Sequence, residues 1–308
     1  VSGPAPREPG PADAVLEVAG GHLTWNVLDP AADPVPFLDD PAAAQGWLWA
    51  LWGEAAALRA AAGAPLGPAV PALPGLADAA RRLAWAHWAA HWWPASVLDA
   101  IPALDGRVLA GEIAELAAEC DLLLGGEEPE PLVTGEPPAP PGYALAAGEA
   151  ADAGGLVLAS GTAGTDWRRC PPGLLDASEE AVSWEITRLP ARTTVLTLAV
   201  VAAPGLTDRT RVPEHLRPRA RVTTADGGLA EIPLRLTDDS WTGSAPPPGA
   251  GRPDITVHLP AFPEPPTPDD AEQRRLRQRI RALAHARLAG SGPVIAPLRA
   301  ETEAARDR

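Results

Sequence analysis

Residues 125–142 read GGEEPEPLVTGEPPAPPG, with six prolines, four glutamates and no apolar periodicity. That composition favours a stiff, partly extended linker over a packed element. The hydrophobic period changes across it. Upstream, apolar residues recur at helical spacing between Pro/Gly breakers; downstream, Val182, Trp184 and Ile186 alternate with Ser183, Glu185 and Thr187, which is strand spacing. The reading is an α+β chain with an N-terminal β-hairpin, a Trp-rich helical region, a C-terminal antiparallel β-sandwich-like domain and a terminal basic helix.

In detail, the expected order is a disordered tail over 1–13, an acidic, mainly helical domain over 14–124, the linker over 125–142 and an antiparallel β domain over 143–262. An Arg-rich helix over 269–289 and a flexible tail over 290–308 complete it. Gly20-Gly21 between two apolar runs signals a two-residue hairpin turn. After a Pro-rich loop, a helix is expected from Pro41 to about Ala62, burying Trp47, Leu48, Leu51 and Leu58, with Trp52 beside them. Residues 61–75 are a Pro/Gly breaker. A second helix is expected over 76–93, stopped by Pro94, and a third from an Asp105 N-cap to about Leu124. In the β region, Asp226-Gly227-Gly228 turns a hairpin, and Pro233 places the strand over 229–236 at an edge or bulge.

The chain has 308 residues and a net charge of −15. All 25 basic residues are arginine, and the missing lysine excludes a Walker-A P-loop, a pyridoxal Schiff base and a Ser–Lys dyad. Residues 1–150 hold 20 acids and 5 Arg; residues 151–308 hold 20 of each, so the imbalance lies wholly in the first half. Such a surface is repelled by nucleic acid and anionic lipid and is compatible with a protein partner. Two separated cysteines, no apolar leader over residues 1–10 and no membrane-length apolar run point to a cytoplasmic protein. The residue bias is that of a GC-rich, actinobacterial genome.

The sharpest local pattern is Trp85-Ala86-His87-Trp88-Ala89-Ala90-His91-Trp92-Trp93. His87 and His91 lie i, i+4 on one helix and can face one metal ion, but Trp88 stands where a zincin carries its general base, and a third ligand must come from elsewhere. Trp49, Trp85, Trp88, Trp92 and Trp93 are candidate binding residues, and core packing accounts for clustered tryptophan equally well. Trp47, Trp49 and Trp52 cannot share one helix face, so at least one ring points away. Arg274, Arg277 and Arg281 on the terminal helix are candidate contacts for an acidic surface. Residues 160–166 (SGTAGTD) follow a strand, but without Lys or GxGxxG spacing they read as a loop. No GxSxG elbow or other complete catalytic set is visible, and no cofactor is expected.

Two stretches carry a resemblance: Trp92-Trp93-Pro94-Ala95-Ser96 with Ile101-Pro102-Ala103-Leu104-Asp105, and Asp166-Trp167-Arg168-Arg169 continuing through Asp176-Ala177-Ser178-Glu179 to Trp184. Together with Asp239–Ala245 they resemble actinobacterial accessory proteins of ternary conflict systems, which join a MoxR-type ATPase, a von Willebrand factor A protein and a β-propeller component. The resemblance implies an adaptor with the MoxR-type ATPase or the von Willebrand factor A protein as partner. The expected function is therefore non-catalytic protein–protein interaction; the alternatives are a metal-dependent hydrolase using His87 and His91, and glycan or small-ligand binding through the tryptophans.

Overall fold

In the computed structural model the turn at Gly20-Gly21 joins β1 (Asp13–Val18) to β2 (Gly21–Asn26) in an antiparallel hairpin with Leu16 opposite Leu23. Gly20 has φ +72°, and a Cβ there would meet the Asp40 carbonyl at 2.4 Å, so only glycine fits. The structure describes residues 10–29, 31–124, 155–190, 192–207, 211–262, 269–290 and 295–306. The expected linker over 125–142, the start of the expected β domain to residue 154 and most of the N-terminal tail lie outside these residues.

A third strand, β3 (Val35–Leu38), pairs with β2 where a Pro-rich loop was expected. Pro36 is tolerated because β3 is an edge strand. The single helix expected over 41–62 is two, α1 (Gln45–Trp52) and α2 (Glu54–Ala61), broken at Gly53 with φ +84°. The break re-aims α2, which buries Ala56, Ala57 and Ala60 and leaves Leu58 64% exposed instead of buried. Helix α3 (Pro74–Trp92) starts on a proline at its first position, two residues earlier than expected. Asp105 caps α4 (Gly106–Glu119), accepting from the Arg107 and Val108 amides at 2.8 and 3.1 Å. The short α5 (Asp121–Leu124) follows.

Downstream are eight strands: β4 (Leu156–Ala163), β5 (Val182–Arg188), β6 (Thr194–Val201), β7 (Arg219–Thr223), β8 (Leu229–Pro233), β9 (Arg235–Thr237), β10 (Ser240–Ala245) and β11 (Asp254–His258). They form a five-stranded sheet, β4-β5-β6-β10-β9, and a three-stranded sheet, β11-β7-β8. One core joins Trp184, Ile186, Leu196, Leu198 and Val200 of the larger sheet to Ala220, Val222, Ile232 and Val257 of the smaller. The stretch expected as one strand over 229–236 leaves the smaller sheet at Pro233 and joins the larger at Arg235. Pro233 has no amide to donate, which suits a point of exit.

The chain ends with α6 (Ala271–Leu288) and α7 (Arg299–Arg306). Helix α7 corrects the expected flexible tail over 290–308: Leu298, Ala300, Glu301 and Ala304 are buried. Two compact units result. The first takes residues 1–93, 104–135 and 276–308; the second takes residues 94–103 and 136–275. Residues 94–103, expected in the N-terminal domain, thus belong with the β strands, and α7 with the N-terminal helices. Among the described residues no helix is long and apolar enough to cross a membrane.

Candidate functional site

Helix α1 buries Trp47, Leu48, Leu51 and Trp52, and helical geometry carries Trp49 to the opposite side. Trp47 donates its indole N–H to the Ala19 carbonyl at 2.7 Å. On α3, Trp85 and Trp88 stack with ring centroids 4.6 Å apart. Trp88 donates to the Pro11 carbonyl at 2.8 Å and Trp85 to Glu301 Oε1 at 3.1 Å. Trp93 is also buried and Trp92 half-buried. Trp85, Trp88 and Trp93 are therefore corrected from candidate binding residues to core, where an indole spends its donor on an internal acceptor. Of the eleven tryptophans, Trp49 stands exposed, at 44%.

The three arginines named as candidate contacts on α6 differ in exposure. Arg274 is exposed, 3.7 Å from Asp269; Arg277 is buried and Arg281 half-buried. A residue that sequence reasoning passed over, Arg287, is the most engaged. Its guanidinium lies 4.4 Å from the Trp85 ring centroid and binds Glu301 through two 2.6 Å contacts, with both side chains almost fully buried. Glu301 Oε2 also accepts from the Leu298 amide at 2.8 Å. A second buried carboxylate, Glu112, accepts from Arg82 Nη2 at 2.9 Å and from the Arg299 amide at 2.8 Å. These contacts tie α7 to α3 and α4. In the sequence, RAETEAAR reads as part of the flexible tail; the small Ala300 and Ala304 are the one hint that a face is packed.

Among the described residues, His87 and His91 meet no third metal ligand. Among the described residues no three His, Cys, Asp or Glu side chains gather as a metal-holding group. His91 Nδ1 lies 2.9 Å from the His87 carbonyl, where it donates. Burial, then the neighbouring His91, lowers the His87 pKa and favours its neutral form. The cysteines are buried thiols: burial, then Glu119, pushes Cys120 up to about 12, and burial, then Asp166, pushes Cys170 up as well. A thiol so raised carries almost no thiolate.

The two stretches that carry the resemblance meet in the second unit. Asp176, fully buried, accepts from Ser96 Oγ at 2.7 Å, the Val97 amide at 2.6 Å and the Ser178 amide at 2.9 Å. Ala177 N–H reaches the Ala95 carbonyl, and Ser178 Oγ donates to Asp99 Oδ1 at 3.3 Å. The carboxylate that faces Ser96, Asp176, is fully buried and also accepts from two backbone amides, so the arrangement works as a clip between two loops. Residues 160–163 lie within β4 instead of a loop. Gly161 lets the Trp184 ring pack close, since a Cβ there would fall 2.8 Å from it.

The first unit also exposes an apolar stretch. Residues 60–77 consist of Ala, Gly, Pro, Leu and Val alone, 18 positions without a polar side chain. Leu73 donates its amide to the Ala50 carbonyl at 3.0 Å, and the Val70 carbonyl lies over Gly53, one helical turn beyond Trp49 on the same face of α1. Val70 is 69% and Leu73 38% exposed. Trp49, Val70 and Leu73 so make an exposed apolar surface on an acidic chain. Comparison with family models, with curated proteins and with solved structures finds no match for this chain.

Proposed function

We propose that this chain is a non-catalytic interaction protein, an adaptor of the cytoplasm, whose partner docks on the surface around Trp49. The observation that carries the reading is the exposure of Trp49 beside Val70 and Leu73, when the chain's other tryptophans are buried or half-buried. Tryptophan dominates the energetics of protein interfaces, and a contiguous exposed apolar patch marks a site of association. The reduced, buried thiols suit a reducing compartment. The resemblance names a MoxR-type ATPase or a von Willebrand factor A protein as first partners to try. Trp49→Arg tests the reading, because it places a charge in the patch without touching a buried group. Each of the two proteins is titrated against native chain and variant. Binding to at least one, weakened roughly tenfold or more by the variant, supports the proposal. Equal binding by both forms, or none by either, overturns it.

A further inference from the structure

Pro65, Pro68, Pro71 and Pro74 recur every third residue within the polar-free stretch. That period matches neither α-helix nor strand; it is the three-per-turn repeat of a polyproline II helix, which lines such prolines along one edge. Local geometry selects a part of the run. Gly67, at φ +81°, bends the chain and sets Pro65 apart. Leu73, at φ −124° and ψ +81°, leads into α3, where Pro74 takes the first helical position. In between, the rings of Pro68 and Pro71 fix φ near −65° and disfavour a helical Val70, and the chain bends at Pro68 and again at Ala72 and Leu73.

Backbone hydrogen bonds close the ends only, from Ala64 to the Arg59 carbonyl and from Leu73 to the Ala50 carbonyl. Among the described residues, the amides of Gly67, Ala69, Val70 and Ala72 meet no protein acceptor. A solvated backbone of this kind is a property of polyproline II. The stretch is nevertheless anchored, by the seat of Val70 over Gly53 and by Arg59 Nη1 donating to the Leu66 carbonyl at 3.2 Å. Anchoring lowers the ordering cost of binding.

Charge gives the segment a direction. The Arg59 guanidinium stands where a Cβ on Gly67 would meet it at 2.6 Å, so a cation flanks the residue before Pro68. It is supplied by α2 and not by the segment itself. Exposed Asp78 follows at the other end, on α3.

We propose that residues 68–71, with Arg59 and Trp49 beside them, dock into a protein groove that recognises polyproline II: a groove walled by aromatic side chains, with a carboxylate at the end that meets Arg59. This rests on the interaction reading above and names the class of partner. A lipid surface fits poorly, because anionic headgroups would face an acidic region.

The test titrates the full chain with three probes: an SH3 domain whose groove ends in an acidic pocket, a WW domain and an EVH1 domain. The SH3 domain is expected to bind. The Pro68→Ala/Pro71→Ala double variant weakens it roughly tenfold or more, and Arg59→Glu does likewise. Pro65→Ala, beyond the Gly67 bend, leaves binding unchanged, and circular dichroism confirms that each variant is folded. Binding by none of the three probes, or equal binding by native chain and folded double variant, overturns the inference. So does a self-association of the chain that the double variant abolishes while no probe binds. The two readings separate cleanly: a protein partner lost with Trp49→Arg but kept by the double variant leaves the interaction reading standing and removes this one, whereas a partner kept by both variants removes both.

Discussion

In the first unit Glu301 and Glu112 are buried against the guanidinium groups of Arg287 and Arg82; in the second Asp166 likewise meets Arg168, but Asp176 is buried against a hydroxyl and two amides. The difference lies in what each arrangement leaves behind when broken. A buried ion pair is costly to assemble and costlier to halve, because the surviving charge has nowhere to go. A carboxylate held by neutral donors leaves only unpaired dipoles. The Arg287–Glu301 pair joins residues 14 apart in the chain and fastens a terminal helix; the neutral clip fastens two loops 80 positions apart. Glu112 sits between these cases, since Arg82 is about a third exposed and the pair is partly screened by water.

Glu301→Gln puts the comparison under the greatest strain. It removes the charge and keeps the shape, leaving Arg287 buried, and should destabilise the first unit by about 3–5 kcal/mol. Chemical denaturation gives the size, and faster hydrogen exchange in α3, α4 and α7 the place. Asp176→Ala should cost less, about 2–3 kcal/mol, with faster exchange at Val97 and Ser178. If the second variant proves the more damaging, the distinction between the ion pair and the neutral clip is wrong.

The smallest effect concerns pH. His87 in the first unit and His258 in the second both have pKa values lowered below 6.5, chiefly by burial. In each case the unfolded chain takes up the proton first, so the histidine's contribution is whole above about pH 6.5 and is lost as pH falls through the folded-state value. His91 adds to the lowering at His87, while Glu231 opposes it at His258, with Arg221 and Arg169 on the lowering side. The units should therefore lose stability on acidification, with a slope of at most about 1.4 kcal/mol per pH unit per histidine. Melting temperatures measured between about pH 7.5 and pH 5.5 should show a shallower decline in His87→Gln. An unchanged slope would mean that His87 titrates alike in the folded and the unfolded chain.

Some of this was legible in the residues. Gly20-Gly21 announced its hairpin, Val182 to Thr187 its strand and Asp105 its cap, because each is decided by a window of a few residues. The α+β character and the want of any lysine chemistry were equally plain. The split at Gly53 was not, since glycine inside a helical pattern breaks it only where another segment needs the space, here the carbonyl of Val70.

Alternation and helical period could also say that several tryptophans would be buried and that one of Trp47, Trp49 and Trp52 would face outward. They could not say which, because burial depends on elements far away in the chain. Trp85 meets Glu301 across 216 positions, and Ser96 meets Asp176 across 80. No local pattern marks Glu301 as buried, and a charged helix reads as solvated until its partner is in place. The sequence by itself determined the elements, their order and the chemistry they lack. Tertiary structure alone decided that Trp49 is the exposed ring, that α7 is fastened and that Arg59 flanks the proline run, because those are matters of long-range packing.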